Sequence, residues 1–98
     1  PADPRIVGRY AMRNQDNDWH SGRIQSVRGK PGRFTWINDA GTTWGLKLES
    51  GTNLVTDVRN PYRNDRQAFQ LKFPDAGDNR TNRATGFRFG KEFYDRQP

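Results

Sequence analysis

The segment from Phe34 to Leu48 limits the fold of this chain more than any other stretch. It holds two short runs in which large apolar residues alternate with smaller or polar ones, separated by the turn-forming residues at 38–41. Successive side chains of a β-strand point to opposite faces, so the pattern predicts two strands joined by a tight turn. The alternating apolar residues are Phe34 and Trp36 in the first run and Trp44, Leu46 and Leu48 in the second.

Similar short apolar runs recur along the chain, with Gly, Pro, Asn or Asp between them. They predict strands over residues 6–12, 19–27, 54–58 and 69–73, and the aromatic C-terminal segment 86–94 is expected to fold back as a strand on the same sheet. No segment reads as an independent helix. Strands and turns at this spacing favour an all-β fold, a small antiparallel barrel or sandwich of about six short strands with no substantial helix.

Length and composition predict one folded domain. The chain has 98 residues, of which only 31% are hydrophobic, and a mean hydropathy of −1.16, which leans towards disorder. Twelve aromatic residues supply large apolar area and argue for a core. We therefore predict a single basic β-domain over residues 1–98, with an exposed loop at about 75–85. The absence of cysteine excludes disulfides and thiolate metal sites.

The charge is strongly positive, and arginine supplies most of it. The 17 Lys and Arg residues exceed the 11 Asp and Glu residues by 6, and 13 of the 17 are arginine. The planar guanidinium pairs bidentately with phosphate, sulfate and carboxylate groups, so an arginine-rich surface suits a polyanionic partner. A GC-rich genome, in which arginine codons accumulate without selection for binding, explains the same composition.

Two sets of residues are candidates for binding a ligand. Aromatic rings stack on sugar rings and nucleobases, and Trp19, beside His20 and a polar loop, is the ring that we expect a ligand to reach. Core packing is the alternative explanation for the tryptophans, and Trp44 is the one that best fits a core position. The predicted ligand-binding residues are Trp19, His20, Trp36, Tyr62, Arg59, Arg63, Arg66 and Arg88.

The arginines of the second set lie among aromatic residues in the last third of the chain, where nine cations face five acids over residues 59–98. That composition is typical of polyanion or single-stranded nucleic-acid binding, although it lacks the spacing of a defined RNA-binding motif. A solvated basic surface is the alternative.

The sequence predicts no cofactor, no metal ion and no defined catalytic residue. Residues 14–18 resemble the start of a calcium loop, but Trp19 and Gln25 stand where an EF-hand needs glycine and glutamate. A small basic ribonuclease that uses His20 as base, Glu49 as acid and an arginine as phosphate clamp is the last of the alternatives.

We therefore expect a non-enzymatic binding module that engages a glycan or another polyanionic polymer. The alternatives are a nucleic-acid-binding domain and a structural subunit that self-associates or meets protein partners in an assembly. An extracellular or cell-surface location is expected, because residues 79–81 form an N-glycosylation sequon. Membrane insertion is not expected, since no run approaches the length of about 20 apolar residues that a spanning helix needs.

Overall fold

The computed structural model describes residues 5–15, 17–56, 67–73 and 83–98. They form an eight-stranded antiparallel barrel in which each strand pairs with the next and the last pairs with the first. A 3-10 turn, Asp18–His20, precedes the second strand. The strands are β1 (Gly8–Met12), β2 (Ser21–Ser26), β3 (Arg33–Asn38), β4 (Thr43–Leu48), β5 (Asn53–Thr56), β6 (Ala68–Lys72), β7 (Gly86–Phe89) and β8 (Glu92–Arg96).

The all-β prediction is confirmed, and the two alternatives of barrel and sandwich are resolved in favour of a barrel. The pairing of β1 with β8, in which Tyr10 lies opposite Arg96 and Met12 opposite Tyr94, closes the sheet on itself. Closure leaves no strand with an unpaired edge. The described residues contain no helix long and apolar enough to cross a lipid bilayer.

The hairpin predicted from Phe34 to Leu48 is present as β3 and β4, with Phe34 opposite Leu46 and Trp36 opposite Trp44. The predicted number of about six strands was too low. The segment 86–94 is not one strand but parts of two, β7 and β8, joined by a two-residue turn. Gly90 adopts a φ of 61°, a left-handed conformation that glycine enters without steric cost, and this reverses the chain.

Two further predictions differ in detail from the structure. The second strand was expected to begin at Trp19, but residues 18–20 form the 3-10 turn and β2 begins at Ser21. The exposed loop predicted at about 75–85 lies mostly outside the described residues. Of its described part, Ala84 is fully buried, because the chain passes beneath one end of the barrel there.

The core is a stack of aromatic rings inside the barrel. The ring of Phe87 stacks on Phe69 at 4.8 Å and on Tyr94 at 4.6 Å between centroids. Trp36 meets all three of these rings edge-on, at 5.6 to 6.1 Å. Offset-stacked and edge-to-face arrangements are the favoured geometries for aromatic pairs, each contributing about 0.5–1.5 kcal/mol beyond area burial.

The up-and-down topology gives the barrel two distinct ends. At one end β1 leads into β2, β3 into β4 and β7 into β8; we call this the mouth end. At the other end β2 leads into β3 and β4 into β5, and residues 5–7 cross beneath the strands; we call this the closed end. Only the mouth end carries exposed tryptophans among the described residues.

Candidate functional site

A cavity of about 270 Å³ opens at the mouth end of the barrel. Residues from the middle of strands form its floor, residues from strand ends form its wall, and the 3-10 turn forms part of its rim. We call it the mouth cavity, and its lining consists of Trp19, His20, Trp36, Trp44, Thr56, Gln67, Phe69, Phe87, Phe89 and Tyr94.

The floor of the mouth cavity is the upper part of the aromatic core. Trp36 is only 4% exposed and packs against the stacked rings of Phe69, Phe87 and Tyr94. Phe89, the last residue of β7, packs edge-on against Phe69 at 5.0 Å. The floor is therefore well packed, because each aromatic ring in it contacts at least one other ring.

The rim of the mouth cavity is exposed and apolar. Trp19 is 60% exposed, and Trp44, on the inward face at the start of β4, is 38% exposed. These are the largest exposed apolar side chains among the described residues. Isolated apolar residues on a surface need no explanation, but two tryptophans at the edge of one cavity form the kind of exposed apolar surface that is common at interaction sites.

Hydrogen bonds hold the 3-10 turn in place over the barrel. The side chain of Asn17 accepts a hydrogen bond from the backbone N–H of Trp19 at 3.1 Å, which caps the turn. The hydroxyl of Ser21 donates to the carboxylate of Asp39 at 2.7 Å, and the backbone N–H of Ala40 donates to the carbonyl of Asp18 at 3.2 Å. The turn is thus tied to the β3–β4 connection, and these hydrogen bonds fix the backbone positions of Trp19 and His20.

The polar groups of the mouth cavity are few. His20 is half-buried, and its Nδ1 lies 2.7 Å from Oδ1 of Asn17. Thr56 and Gln67 are bonded to each other, since the Gln67 backbone N–H donates to the Thr56 hydroxyl at 3.1 Å. Burial, with the nearby Glu92 as a second cause, raises the pKa of the Tyr94 hydroxyl, which therefore stays protonated at neutral pH.

A further polar side chain lies on the inward face of β3 at the mouth end. Asn38 is 2% exposed, and its Oδ1 accepts a hydrogen bond from the Thr42 backbone N–H at 2.9 Å. Its Nδ2 has no hydrogen-bond partner among the described residues. A buried donor without a partner costs about 1–3 kcal/mol, so the mouth end is built at some expense of stability.

Three of the predicted ligand-binding residues, Trp19, His20 and Trp36, come together in the mouth cavity. Arg88 does not: it lies on the outer face of β7, where its guanidinium donates to Gln70 at 2.6 Å. The remaining four predicted residues lie outside the described part of the chain. They are Arg59, Tyr62, Arg63 and Arg66.

Sequence reasoning missed most of the cavity lining. Trp44 was assigned to the core, but it lies at the mouth with its ring partly exposed. The hairpin pattern could have placed Trp44 near the mouth. A tight turn at 38–41 puts residue 44 close to the turn and directly opposite Trp36. No comparable signal exists for Thr56, Gln67 and Phe89, since their contribution depends on closure of the barrel.

The structure does not assemble the ribonuclease arrangement considered above. His20 precedes β2 at the mouth end, whereas Glu49 follows β4 at the closed end. Consecutive connections of an up-and-down barrel alternate between its ends, so the two side chains are separated by the length of the strands. Within the described residues, no group of three His, Asp or Glu side chains is placed to hold a metal ion.

Fold and site together define a class: an eight-stranded up-and-down β-barrel that is packed with aromatic rings, closed at one end and open at the other. Comparison with known proteins adds no family to this description, because no family model, no curated protein and no solved structure matches the chain. Barrels of eight strands have an interior that is filled by side chains or that holds one small ligand. The fold alone does not define a function, and the mouth cavity is the feature of this barrel that suits a ligand.

Proposed function

We propose that this protein is a non-enzymatic binding module that takes a small, flat, largely apolar ligand into the mouth cavity. The observation that carries the proposal is the composition of the lining. Seven of its ten residues are aromatic, namely Trp19, Trp36, Trp44, Phe69, Phe87, Phe89 and Tyr94. Flat rings stack on such side chains, and a pre-formed apolar cavity with a few polar groups is the usual form of a small-molecule site.

The size of the cavity limits the ligand. Small-molecule pockets commonly enclose about 300–1,000 Å³, and the mouth cavity, at about 270 Å³, lies just below that range. One ring or two fused rings fit this volume. A polymer can enter only with its terminal unit, and the remainder of the chain would lie over the exposed rim.

The same lining favours binding over catalysis. Among the described residues that line it, His20 and Tyr94 are the only ionisable side chains, and none of them is a carboxylate, a lysine or an arginine. A hydrolytic or proton-transfer site ordinarily pairs a base with an acid or with a charged stabilising group. The lining offers instead a shape, a set of ring faces and a small number of hydrogen-bonding groups.

A glycan is the second candidate ligand, and one observation favours it. Trp19 and Trp44 stand exposed on the rim, where a sugar ring can stack on an indole face while its hydroxyls remain in water. In this form of the proposal, the terminal sugar contacts the rim and the chain extends along the outside of the barrel.

Polyanion and nucleic-acid binding, assembly with other subunits and a location outside the cell all remain predictions from the sequence. The support for polyanion and nucleic-acid binding is the excess of six positive charges over the whole chain, and the support for the location is the sequon at residues 79–81. Cations also occur in directly opposed pairs on the outer wall: Arg9 faces Arg23, and Arg33 faces Lys47. These pairs give the outer wall a locally high density of positive charge, which attracts anions, although Asp39 already pairs with Arg9 at 2.9 Å.

Isothermal calorimetry with indole tests the proposal, and methyl glycosides and single-stranded RNA in parallel titrations cover the alternatives. We expect saturable binding of indole with a dissociation constant of about 0.1 mM. That affinity requires only about 0.6 kcal/mol for each of the ligand's non-hydrogen atoms, well within the ceiling of about 1.5 kcal/mol for very small ligands.

Two aromatic-to-alanine variants separate the cavity from the rest of the surface. Trp44→Ala removes part of the cavity wall and is expected to weaken indole binding about tenfold. Phe93→Ala removes a ring from the outer wall, where it contacts Lys72 and Arg13, and is expected to leave binding unchanged. Equal losses in the two variants would contradict the proposal. Binding of RNA alone, abolished by salt, would favour the nucleic-acid alternative.

A further inference from the structure

We infer that Nε2 of His20 is a hydrogen-bond acceptor that selects ligands carrying an N–H or O–H donor. This inference rests on the proposed function, since it assigns a specificity to the same mouth cavity. It concerns the state of one ring nitrogen, and the hydrogen bonds around Asn17 determine that state.

The first step is the orientation of the Asn17 amide. The backbone N–H of Trp19 donates to one side-chain atom of Asn17 at 3.1 Å, and a backbone N–H can only donate. That atom is therefore the oxygen, Oδ1. The other end of the amide agrees with this orientation, because Nδ2 of Asn17 lies 3.3 Å from Oε1 of Gln15, where it donates.

The second step is the tautomer of His20. Its Nδ1 lies 2.7 Å from the same Oδ1 of Asn17. Because Oδ1 is an acceptor without a hydrogen, Nδ1 must carry the proton that joins the two atoms. A neutral imidazole has only one N–H, so Nε2 of the neutral ring carries a lone pair and no hydrogen.

The third step is the availability of that lone pair to a ligand. Nδ1 is occupied by Asn17, and His20 is one of the residues that line the mouth cavity. Nε2 is therefore the only ring nitrogen that can serve a bound molecule. The Thr56 hydroxyl, another polar group of the lining, already accepts a hydrogen bond from Gln67.

The hydrogen-bond acceptor on His20 narrows the predicted class of ligands from flat apolar rings in general to those that carry a donor. Such a ligand is a ring of one or two cycles with a hydrogen-bond donor on its edge, such as an indole or a phenol, whose faces lie among the tryptophans and whose donor meets His20. A ring of the same shape that carries only an acceptor would leave Nε2 unpaired and desolvated.

Indole and benzofuran provide a matched pair of probes, because they share one shape and differ in having an N–H or an oxygen at the same position. By calorimetry, with the histidine in its neutral form, we expect wild-type protein to bind indole about five- to tenfold more tightly than benzofuran. In His20→Phe, which keeps a flat ring at the position, the ratio should fall to within about twofold. In His20→Gln, whose amide oxygen can accept, part of the preference should return.

The tautomer itself is measured by long-range ¹H–¹⁵N correlation NMR of the imidazole. We expect Nδ1 to be protonated in the wild type and in Asn17→Asp, which keeps an acceptor for both Trp19 and His20. In Asn17→Ala the imidazole should no longer be held in the tautomer protonated at Nδ1, and the preference for indole over benzofuran should decrease. A purely structural role for Asn17 would lower stability without changing the tautomer.

The outcomes separate this inference from the proposed function. If neither indole nor benzofuran binds, both the proposed function and the inference about His20 are wrong. If both bind equally to the wild type, the mouth cavity is a binding site but His20 does not select the ligand. A preference for indole that persists in His20→Phe would likewise overturn the inference, since another group would then recognise the donor.

Discussion

The two ends of this barrel are built on opposite principles. At the closed end, Arg96 is surrounded by acceptors: its guanidinium donates to the carbonyls of Val7 at 2.9 Å, Arg5 at 3.0 Å and Ala84, and to the Tyr10 hydroxyl at 2.9 Å. The same guanidinium lies 5.0 Å from the centre of the Tyr10 ring. At the mouth end, large aromatic rings are left partly exposed, and Nδ2 of Asn38 has no partner among the described residues.

The difference indicates which end stabilises the fold and which end is free to serve the binding function that we propose. A cation bonded to several part-buried acceptors and placed over a ring is a satisfied polar cluster, which fixes one arrangement of the described segments around it. Exposed indoles contribute little to folding, but they provide apolar area that a ligand can cover. Substitutions at the closed end should therefore change stability, whereas substitutions at the mouth should change affinity.

Replacing Arg96 should have the largest effect. Arg96→Leu leaves three carbonyls and the Tyr10 hydroxyl without their donor, and each buried polar group left unpaired costs about 1–3 kcal/mol. Allowing for water that reaches some of them, we expect a loss of about 3–4 kcal/mol in the free energy of unfolding, measured by urea denaturation. Arg88→Leu, on the outer wall, should change it by less than about 0.5 kcal/mol. Similar losses of unfolding free energy in the two variants would contradict a stabilising role of the Arg96 hydrogen bonds at the closed end.

Gly8 provides the next largest effect at the same end. Its φ is 154°, and a Cβ at this position would collide with the Arg96 guanidinium. Backbone strain and overpacking each cost about 1–3 kcal/mol, so Gly8→Ala should destabilise the protein by about 2–3 kcal/mol. Gly51→Ala is the control, because no atom lies within 4 Å of the added methyl group there. Equal unfolding midpoints for the two variants would contradict the packing described around Arg96.

A pair of aromatic substitutions compares the two ends directly. Trp19→Ala at the mouth should weaken indole binding about tenfold while changing the free energy of unfolding by less than about 0.5 kcal/mol, since the ring is 60% exposed. Tyr10→Phe at the closed end removes the hydroxyl that donates to the Ile6 carbonyl at 2.7 Å. It should cost about 1–2 kcal/mol of stability and leave indole affinity unchanged. A loss of stability in Trp19→Ala together with a loss of indole affinity in Tyr10→Phe would contradict the assignment of binding to the mouth end and of stability to the closed end.

The smallest effect is expected at Asp39, where the mouth end is tied to the outer wall. Its pKa is lowered by a hydrogen bond from Ser21 and by the Arg9 guanidinium at 2.9 Å. A folded-state pKa below the unfolded value of about 3.9 stabilises the protein at neutral pH, and this contribution disappears as the pH falls through the folded-state pKa. Asp39→Asn should therefore lower the melting temperature slightly at pH 7, and the difference from the wild type should shrink as the pH is lowered through the folded-state pKa. The exposed pair should also weaken in high salt. A difference that grows at low pH would refute this assignment.

The sequence predicted an all-β fold, either a small barrel or a sandwich, because its strands alternate apolar and polar residues, as in Phe34 to Leu48. It did not predict eight strands, since the turn at Gly90 is too short to interrupt the aromatic pattern of residues 86–94. Nor did it predict the role of Arg96. An arginine near the C-terminus reads as part of a basic surface, and its inward position depends on the pairing of β1 with β8, which joins residues far apart in the chain.

The site was predictable in part. Trp19 stood out because polar residues surround it, and the structure leaves it exposed beside the cavity. Trp44 was placed in the core because alternation identifies the inward face of a strand but not the depth of each position. A residue at the end of a strand and one at its centre share a face, yet only the central one is covered on all sides.

The most direct test of the whole account is a ¹H–¹⁵N NMR titration of the wild-type protein with indole. We predict saturable shifts of the side-chain N–H signals of the three tryptophans and of the Gln67 backbone amide, with no shift at Tyr10 or Arg96. That pattern would show one binding site, at the mouth end only. Shifts that include Arg96, or that rise linearly without saturation over the whole surface, would contradict the division of the barrel into a stabilising end and a binding end.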